Sequence, residues 1–262
     1  SGNVVLTLPS GYNSSARLYI DGVKVNSIAW QNDESKRLVY VGSNGSGPLG
    51  TAAQTAVAYY YDASGIPRGM YVWRLAYEGD HYTATAIPEF ENLFTYHGFS
   101  VRYTGNTGLR CVYGIDSSKK AQLISTSGWN GYRITEMGTL IMRPDNYEEN
   151  PMIYGSNMVS RGRTYWVANG KVNNKVIRKT GGRDQFANVL IDLPPSRYDM
   201  AYYFRPYAVM DYNGSNVVIY GPEMSRSMYT VCKQILGHKD FEPGTSGYHF
   251  LKNIVDSVEN KQ

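Results

Sequence analysis

The chain has 262 residues, 42% of them hydrophobic and 18% charged, a balance that fills real cores and excludes a disordered tail. A formal net charge of +4 is too small to point to nucleic acid, and no run of about 18 apolar residues occurs, so no membrane insertion is expected. With 24 Tyr and 27 Gly the composition reads as mainly β with many turns.

The opening Ser1-Gly2, without Met, points to a piece of a longer protein with a cloning scar at its start. Val4 to Leu8 is strand-like. Ala16 to Ile20 and Val23 to Ile28 flank Asp21-Gly22 and predict a hairpin. Leu38 to Val41 is a short strand, followed by a loop over 42–50. Thr55 to Tyr61, Met70 to Leu75 and His81 to Ile87 complete a first β-sandwich-like domain, 1–90. Residues 91–98 form a linker after Pro88, which suits the first position of a short helical turn.

A second β-sandwich domain spans 99–240. Its expected strands are Phe99 to Tyr103, Leu109 to Ile115, Tyr132 to Met142, Thr164 to Ala168, Lys175 to Arg178 and Phe186 to Leu193. Asn169-Gly170 reads as a turn. Residues 198–220 form a hairpin about Asn213-Gly214. Alternation places Met200, Tyr202, Phe204, Ala208 and Met210 on one face and Tyr203, Arg205, Tyr207 and Val209 on the other. The first set is core; the second can cover a neighbouring layer or hold a ligand. The period then becomes helical: 223–236 predicts an amphipathic helix laid on the second domain through Met228, Val231, Cys232 and Ile235, and 246–258 a second helix within a C-terminal helical extension, 241–262.

No nucleophile elbow, HExxH, phosphate loop or dinucleotide fingerprint occurs, so no catalytic residue and no cofactor is expected. The histidines His81, His97, His238 and His249 lie too far apart in sequence for a local metal clamp, and Cys232 with His238 makes no convincing thiol–imidazole pair. Glu89, Glu91, Glu148 and Glu149 read as solvated loop charges. Glu136, inside a strand, requires a partner if buried; Arg102, Arg110, Arg226 and Arg205 are the ion-pair candidates. Asp211, Asn213 and Ser215 only partly resemble a calcium loop, and a plain turn explains them. Cys111 and Cys232 form a candidate disulfide, which would close a loop of roughly 120 residues and stabilise by about 4–5 kcal/mol. The simpler alternative is two free, buried thiols.

Two surfaces are candidates for binding. Residues 157–183 contain no Asp or Glu between Asn157 and Arg183 and carry Arg161, Arg163, Lys171, Lys175, Arg178, Lys179 and Arg183, with Tyr165 and Trp166 among them. Such a patch suits an anionic polymer. Tyr203 and Tyr207 beside Arg205, with Trp166, Trp129 and Tyr59 to Tyr61, offer flat faces for sugar rings.

The stretches LYIDGVKV (18–25), GMYVWRL (69–75), LFTYHGFSVRYTGNTGLR (93–110), GYRITEMGTLIM (131–142), FRPYAV (204–209) and YGPEMSRSMY (220–229) resemble a module of large surface proteins of Gram-positive, clostridial-type gut bacteria. The resemblance implies an extracellular, cell-surface β module beside immunoglobulin-like or other repeats, with neighbouring domains of the same polypeptide as partners and no catalytic residues to carry over. Where such modules often have an aromatic after GLR, this chain has Cys111. Three functions are expected in order: a non-catalytic structural or adhesive module, a carbohydrate-binding module meeting glycans or cell-wall polymers, and a glycan-active hydrolase.

Overall fold

A computed structural model describes residues 2–8, 16–26, 28–31, 37–42, 49–149, 151–155, 166–171 and 175–261. The architecture is mainly β, in antiparallel sheets, with helices at the C-terminal end. The first half carries β1 (Gly2–Thr7), β2 (Arg17–Ile20), β3 (Val23–Lys24), β4 (Ile28–Gln31), β5 (Arg37–Gly42), β6 (Gln54–Tyr61), β7 (Pro67–Tyr77) and β8 (Tyr82–Ala86). These make two sheets, ordered β1-β5-β4 and β3-β2-β6-β7-β8. Val4, Leu6 and Leu8 meet Leu18, Ile20, Ala56, Ala58, Trp73 and Leu75 in the core between them.

The second half carries β9 (Phe94–Arg102), β10 (Gly108–Asp116), α1 (Ser117–Leu123), β11 (Tyr132–Met142), α2 (Pro144–Glu149), β12 (Trp166–Lys171), β13 (Arg178–Thr180), β14 (Arg183–Ile191), β15 (Tyr202–Tyr212), β16 (Ser215–Tyr220), β17 (Met224–Arg226), α3 (Met228–Gly237) and α4 (Ser246–Glu259). One sheet runs β13-β14-β10-β9 and the other β12-β11-β15-β16, with β17 also on β15. Tyr113, from the first, donates its hydroxyl to the Phe204 carbonyl of the second at 2.8 Å, and Phe99 meets Phe204 edge-on.

Both predicted hairpin turns form, although the strand expected over Val23 to Ile28 stops at Lys24 and Ile28 begins β4 of the other sheet. Asp21 and Gly22 have φ of 47° and 82°, and Asn213 and Gly214 of 51° and 82°, the paired positive values a two-residue turn needs for the strand twist to continue. Asn169-Gly170 is not a turn. It lies within β12 where the register against β11 shifts between Met137 and Thr139, so the glycine serves a bulge. The helix expected over 223–236 starts only at Met228, because Met224–Arg226 pairs with Tyr202–Phe204 as a strand; Ser227 then caps the helix by accepting from the Thr230 N–H at 3.1 Å. Met228, Val231 and Cys232 are buried as expected, while Ile235 is half-buried. Helices α1 and α2 were not anticipated.

One core crosses the expected linker. Alternation on β6 sends Ala56 and Ala58 into the first half and Val57, Tyr59 and Tyr61 the other way, where they join Phe90, Phe94, Cys111, Tyr113, Phe204 and the α3 and α4 residues. The β2–β6–β7 sheet is therefore covered on both faces. Among the described residues no helix is long and apolar enough to cross a membrane.

Candidate functional site

The face of β15 that carries Tyr203, Arg205 and Tyr207 was expected to be open or covering; it covers. Arg205 is fully buried, with 0% exposure. One terminal nitrogen donates to the carbonyls of Gly22 at 2.9 Å and Met152 at 2.8 Å, and lies 3.4 Å from Glu223 Oε1. The guanidinium lies over the Tyr19 and Tyr220 rings, 4.8 and 4.3 Å from their centroids. Burial works against the charge, but Glu223 and the surrounding tyrosines outweigh it, and the pKa of Arg205 is held above its ordinary value. Nε and the other terminal nitrogen have no hydrogen-bond partner among the described residues.

Local sequence explains how these groups meet. The Asp21-Gly22 turn is pinned by the Thr55 N–H donating to Asp21 Oδ1 at 2.9 Å. A side chain at Gly22 would press on the Tyr220 ring at 2.9 Å, so only glycine lets this turn reach sheet β11-β15-β16. Pro144 opens α2, which presents Tyr147; Pro151 and Met152 follow. Glu223, after Gly221-Pro222, sits where β16 gives way to β17. Its carboxylate accepts from the Tyr147 hydroxyl, and burial, with Glu223 beside it, pushes the Tyr147 phenol up.

These elements enclose a cleft of about 490 Å3. Tyr19, Tyr147, Tyr203, Met152 and the buried Glu223 line it, and Lys24, Asn26 and Glu148 stand at its exposed rim. Tyr147 and Tyr203 stack with centroids 3.7 Å apart and 8° between planes. A carboxylate offers about four acceptor positions, so Glu223 keeps capacity for hydroxyl donors beyond Arg205 and Tyr147. Such a floor, with aromatic walls, suits a polyhydroxylated ligand.

Of the described binding residues expected from sequence, only Tyr203 lines this cleft. Tyr207 is buried; it stacks on Tyr154 and donates to Glu136. Tyr59 and Tyr61 are buried too, their hydroxyls donating to the Tyr220 and Glu223 carbonyls, so they are no sugar platform. Trp129 packs half-buried against the core. Arg161, Arg163 and Tyr165 lie outside the described residues. The backbones of Trp166 and Lys171 are in β12, whereas Arg178 and Lys179 are exposed on β13 of the other sheet, with Lys175 exposed just before it. The described basic residues thus divide between two sheets. Lys179 lies 3.9 Å from Asp184.

The ion pairs expected of Glu136 do not form with Arg102, Arg110, Arg205 or Arg226. A bulge at Thr135 shifts the register so that Glu136 joins the Tyr207 face, where it accepts from Tyr207 and, at 2.8 Å, from Tyr154. Arg102 and Arg110 belong to the other sheet and bond Asn106 O and Ser100 Oγ; Arg226 donates to the Ser225 carbonyl and approaches the Phe99 ring. Cys111 and Cys232 are free and buried, so the candidate disulfide is absent: one sits on β10, the other on α3, each sealed in the core. Burial raises both thiols, Cys232 to about 12.

Reasoning from sequence missed Tyr19, Lys24, Asn26, Tyr147, Met152 and Glu223. Pro144-Asp145 at the start of a short helix was the one available signal for α2 and hence Tyr147. Nothing local marks Glu223. Among the described residues no three His, Cys, Asp or Glu side chains converge where a metal ion could sit.

No protein-family model matches the chain, and no curated protein matches it. Among solved structures, a DUF3823 family protein from Bacteroides ovatus is similar at a TM-score of 0.31 and 7% identity, over 87% of this chain and 100% of that one.

Proposed function

We propose that this chain is a non-catalytic extracellular module of a bacterial surface protein, and that it binds a glycan in the cleft between the β2–β3 turn and α2. The observation that carries the reading is the pairing of aromatic walls with a buried, incompletely saturated carboxylate at the floor of one cleft. Sugar rings offer apolar C–H faces to the half-buried Tyr147 and Tyr203 and hydroxyls to Glu223, Asn26 and Lys24. Binding of the purified protein to host, dietary and bacterial glycans at low and high salt tests it. A neutral glycan is expected to bind with little salt dependence, and Tyr203→Ala to weaken it by about tenfold. A silent panel with folded protein retires the glycan and leaves a structural or adhesive spacer.

One observation favours a second reading. Glu148 and Glu223 both line the cleft, and glycoside hydrolysis requires two carboxyls. Turnover of any panel glycan, lost in Glu148→Gln with the fold intact, is the result that reading needs.

A further inference from the structure

A second cleft, of about 360 Å3, lies between the start of β6 and the tip of the β15–β16 hairpin. Ala52, Ala53, Gln54 and Thr55 form one side; Tyr212, Asn213, Ser215, Asn216 and Val217 form the other, with Arg74 of β7 and Tyr132 of β11 between. It is separate from the glycan cleft: Tyr203 and Tyr212 stand at opposite ends of β15, about 30 Å apart at the rise of an extended strand.

Its chemistry differs as well. Among the described residues no Asp or Glu lines it. Arg74 donates one terminal N–H to the Tyr212 hydroxyl at 2.8 Å, with its guanidinium carbon 4.8 Å from the centroid of that ring, and Tyr212 stacks on Tyr132 at 4.1 Å. Phe90 fixes Tyr132 from the core with an edge contact at 4.8 Å. The cation is thus held by neutral groups. Among the described residues no carboxylate lies within ion-pair distance of Arg74. Glu89, which accepts from Asn130, and Asp211, opposite Asn216 on β15, are both absent from the cleft's lining. A half-buried guanidinium keeps unused donors in a planar fork, and that fork matches a carboxylate or sulfate two oxygens at a time. The Asn213 and Asn216 amides and the Ser215 hydroxyl stand exposed beside it as further donors.

We infer that the Arg74 cleft is a binding site for an oxyanion borne on a sugar, a uronic-acid carboxylate or a sulfate ester. The oxyanion rests on Arg74 alone, and the sugar that bears it rests on the glycan-binding reading above.

Titration calorimetry with tri-galacturonate, a sulfated disaccharide and their neutral counterparts tests it, the two acidic arms separating carboxylate from sulfate. At least one acidic sugar is expected to bind more tightly than its neutral counterpart, and more weakly as salt rises. Arg74→Ala is expected to weaken it by about tenfold to a hundredfold, the range of charge-assisted hydrogen bonds, and Arg74→Lys to lie between because the fork is lost. Tyr203→Ala, in the other cleft, is expected to leave this binding unchanged. Asn216→Asp places a negative charge at an exposed rim position, opposite Asp211 on β15, and in protein shown to be folded is expected to weaken the same ligand several-fold. Equal binding of acidic and neutral sugars, or full acidic-sugar affinity in folded Arg74→Ala or in Asn216→Asp, overturns the site.

Discussion

Arg205→Met is the most informative perturbation of this fold. Met roughly fills the space of the aliphatic stem and removes the charge. Two buried carbonyls, of Gly22 and Met152, lose their donor, and Glu223 loses its cation. Breaking a buried ion pair from one side costs about 3–5 kcal/mol, mostly because the remaining charge is stranded. Two features place the expected value near the low end. Tyr147 still donates to Glu223, and the native Arg205 already leaves two nitrogens without hydrogen-bond partners among the described residues. About 3 kcal/mol corresponds to a fall in Tm of roughly 6–12 °C for a chain of this size. Because Arg205 ties the β2–β3 turn to the second half, hydrogen exchange should rise locally over 19–25 and 151–155. Glu223→Gln in the Arg205→Met background should restore stability, giving a coupling energy of about 1–3 kcal/mol in urea unfolding. If Arg205→Met matches the wild type within about 0.5 kcal/mol, or the two changes simply add, the buried pair does not hold the halves together and the reasoning fails.

Other outcomes follow from single positions. Gly22→Ala, at φ +82° and against the Tyr220 ring, should lose about 2–3 kcal/mol, whereas Gly214→Ala, at the same φ but in open space, should lose only about 1; equal losses by denaturant melt would discount the close approach. Neither Cys111 nor Cys232 should react with a thiol reagent at pH 8 in the folded protein, since burial keeps both protonated, and both should react in denaturant; no reactive thiol in denaturant would reveal a disulfide. Burial alone would raise the Asp184 carboxyl, but donation from Ser117 and Lys120 and the nearby positive charges outweigh it, so its pKa lies below the usual range. Stability from such a group is complete above the unfolded value of about 4 and is lost as pH falls through the folded value. Asp184→Asn should therefore be less stable than wild type at neutral pH and lose less further stability between about pH 5 and pH 2; parallel acid curves would contradict the shift. Val231→Asp should destabilise by several kcal/mol and Ile235→Asp by clearly less, as the first is buried and the second half-exposed; the reverse order would displace α3 from the core.

The strands were legible because period and turn chemistry are local. Tyr132–Met142 has the predicted bounds, and β15 sends Tyr202, Phe204, Ala208 and Met210 into the main core as alternation requires. Alternation says which residues share a face and is silent on what lies over it. Tyr203, Arg205 and Tyr207 do share a face, but their partners lie far away in sequence: Gly22 is 183 residues from Arg205, and Tyr59 is 161 from Tyr220. No local pattern carries contacts of that span. The cleft was illegible for the same reason, since its walls come from a turn near residue 22, a short helix near 147 and one end of β15.

A charge flanked by tyrosines leaves two readings open in the sequence, covering a neighbouring layer or holding a ligand, because a lone guanidinium is costly to bury. The surrounding composition removes that cost. Tyr19 and Tyr220 give Arg205 π faces, the Tyr220 hydroxyl accepts from the Tyr154 N–H, and Glu223 supplies the opposite charge. An aliphatic layer of equal area could not have accepted the cation. The abundance of Tyr that suggested a ligand-binding face is thus, at this position, the condition for packing one half of the protein onto the other. Where the tyrosine layer ends, at Tyr203 and Tyr147, it opens into a cleft.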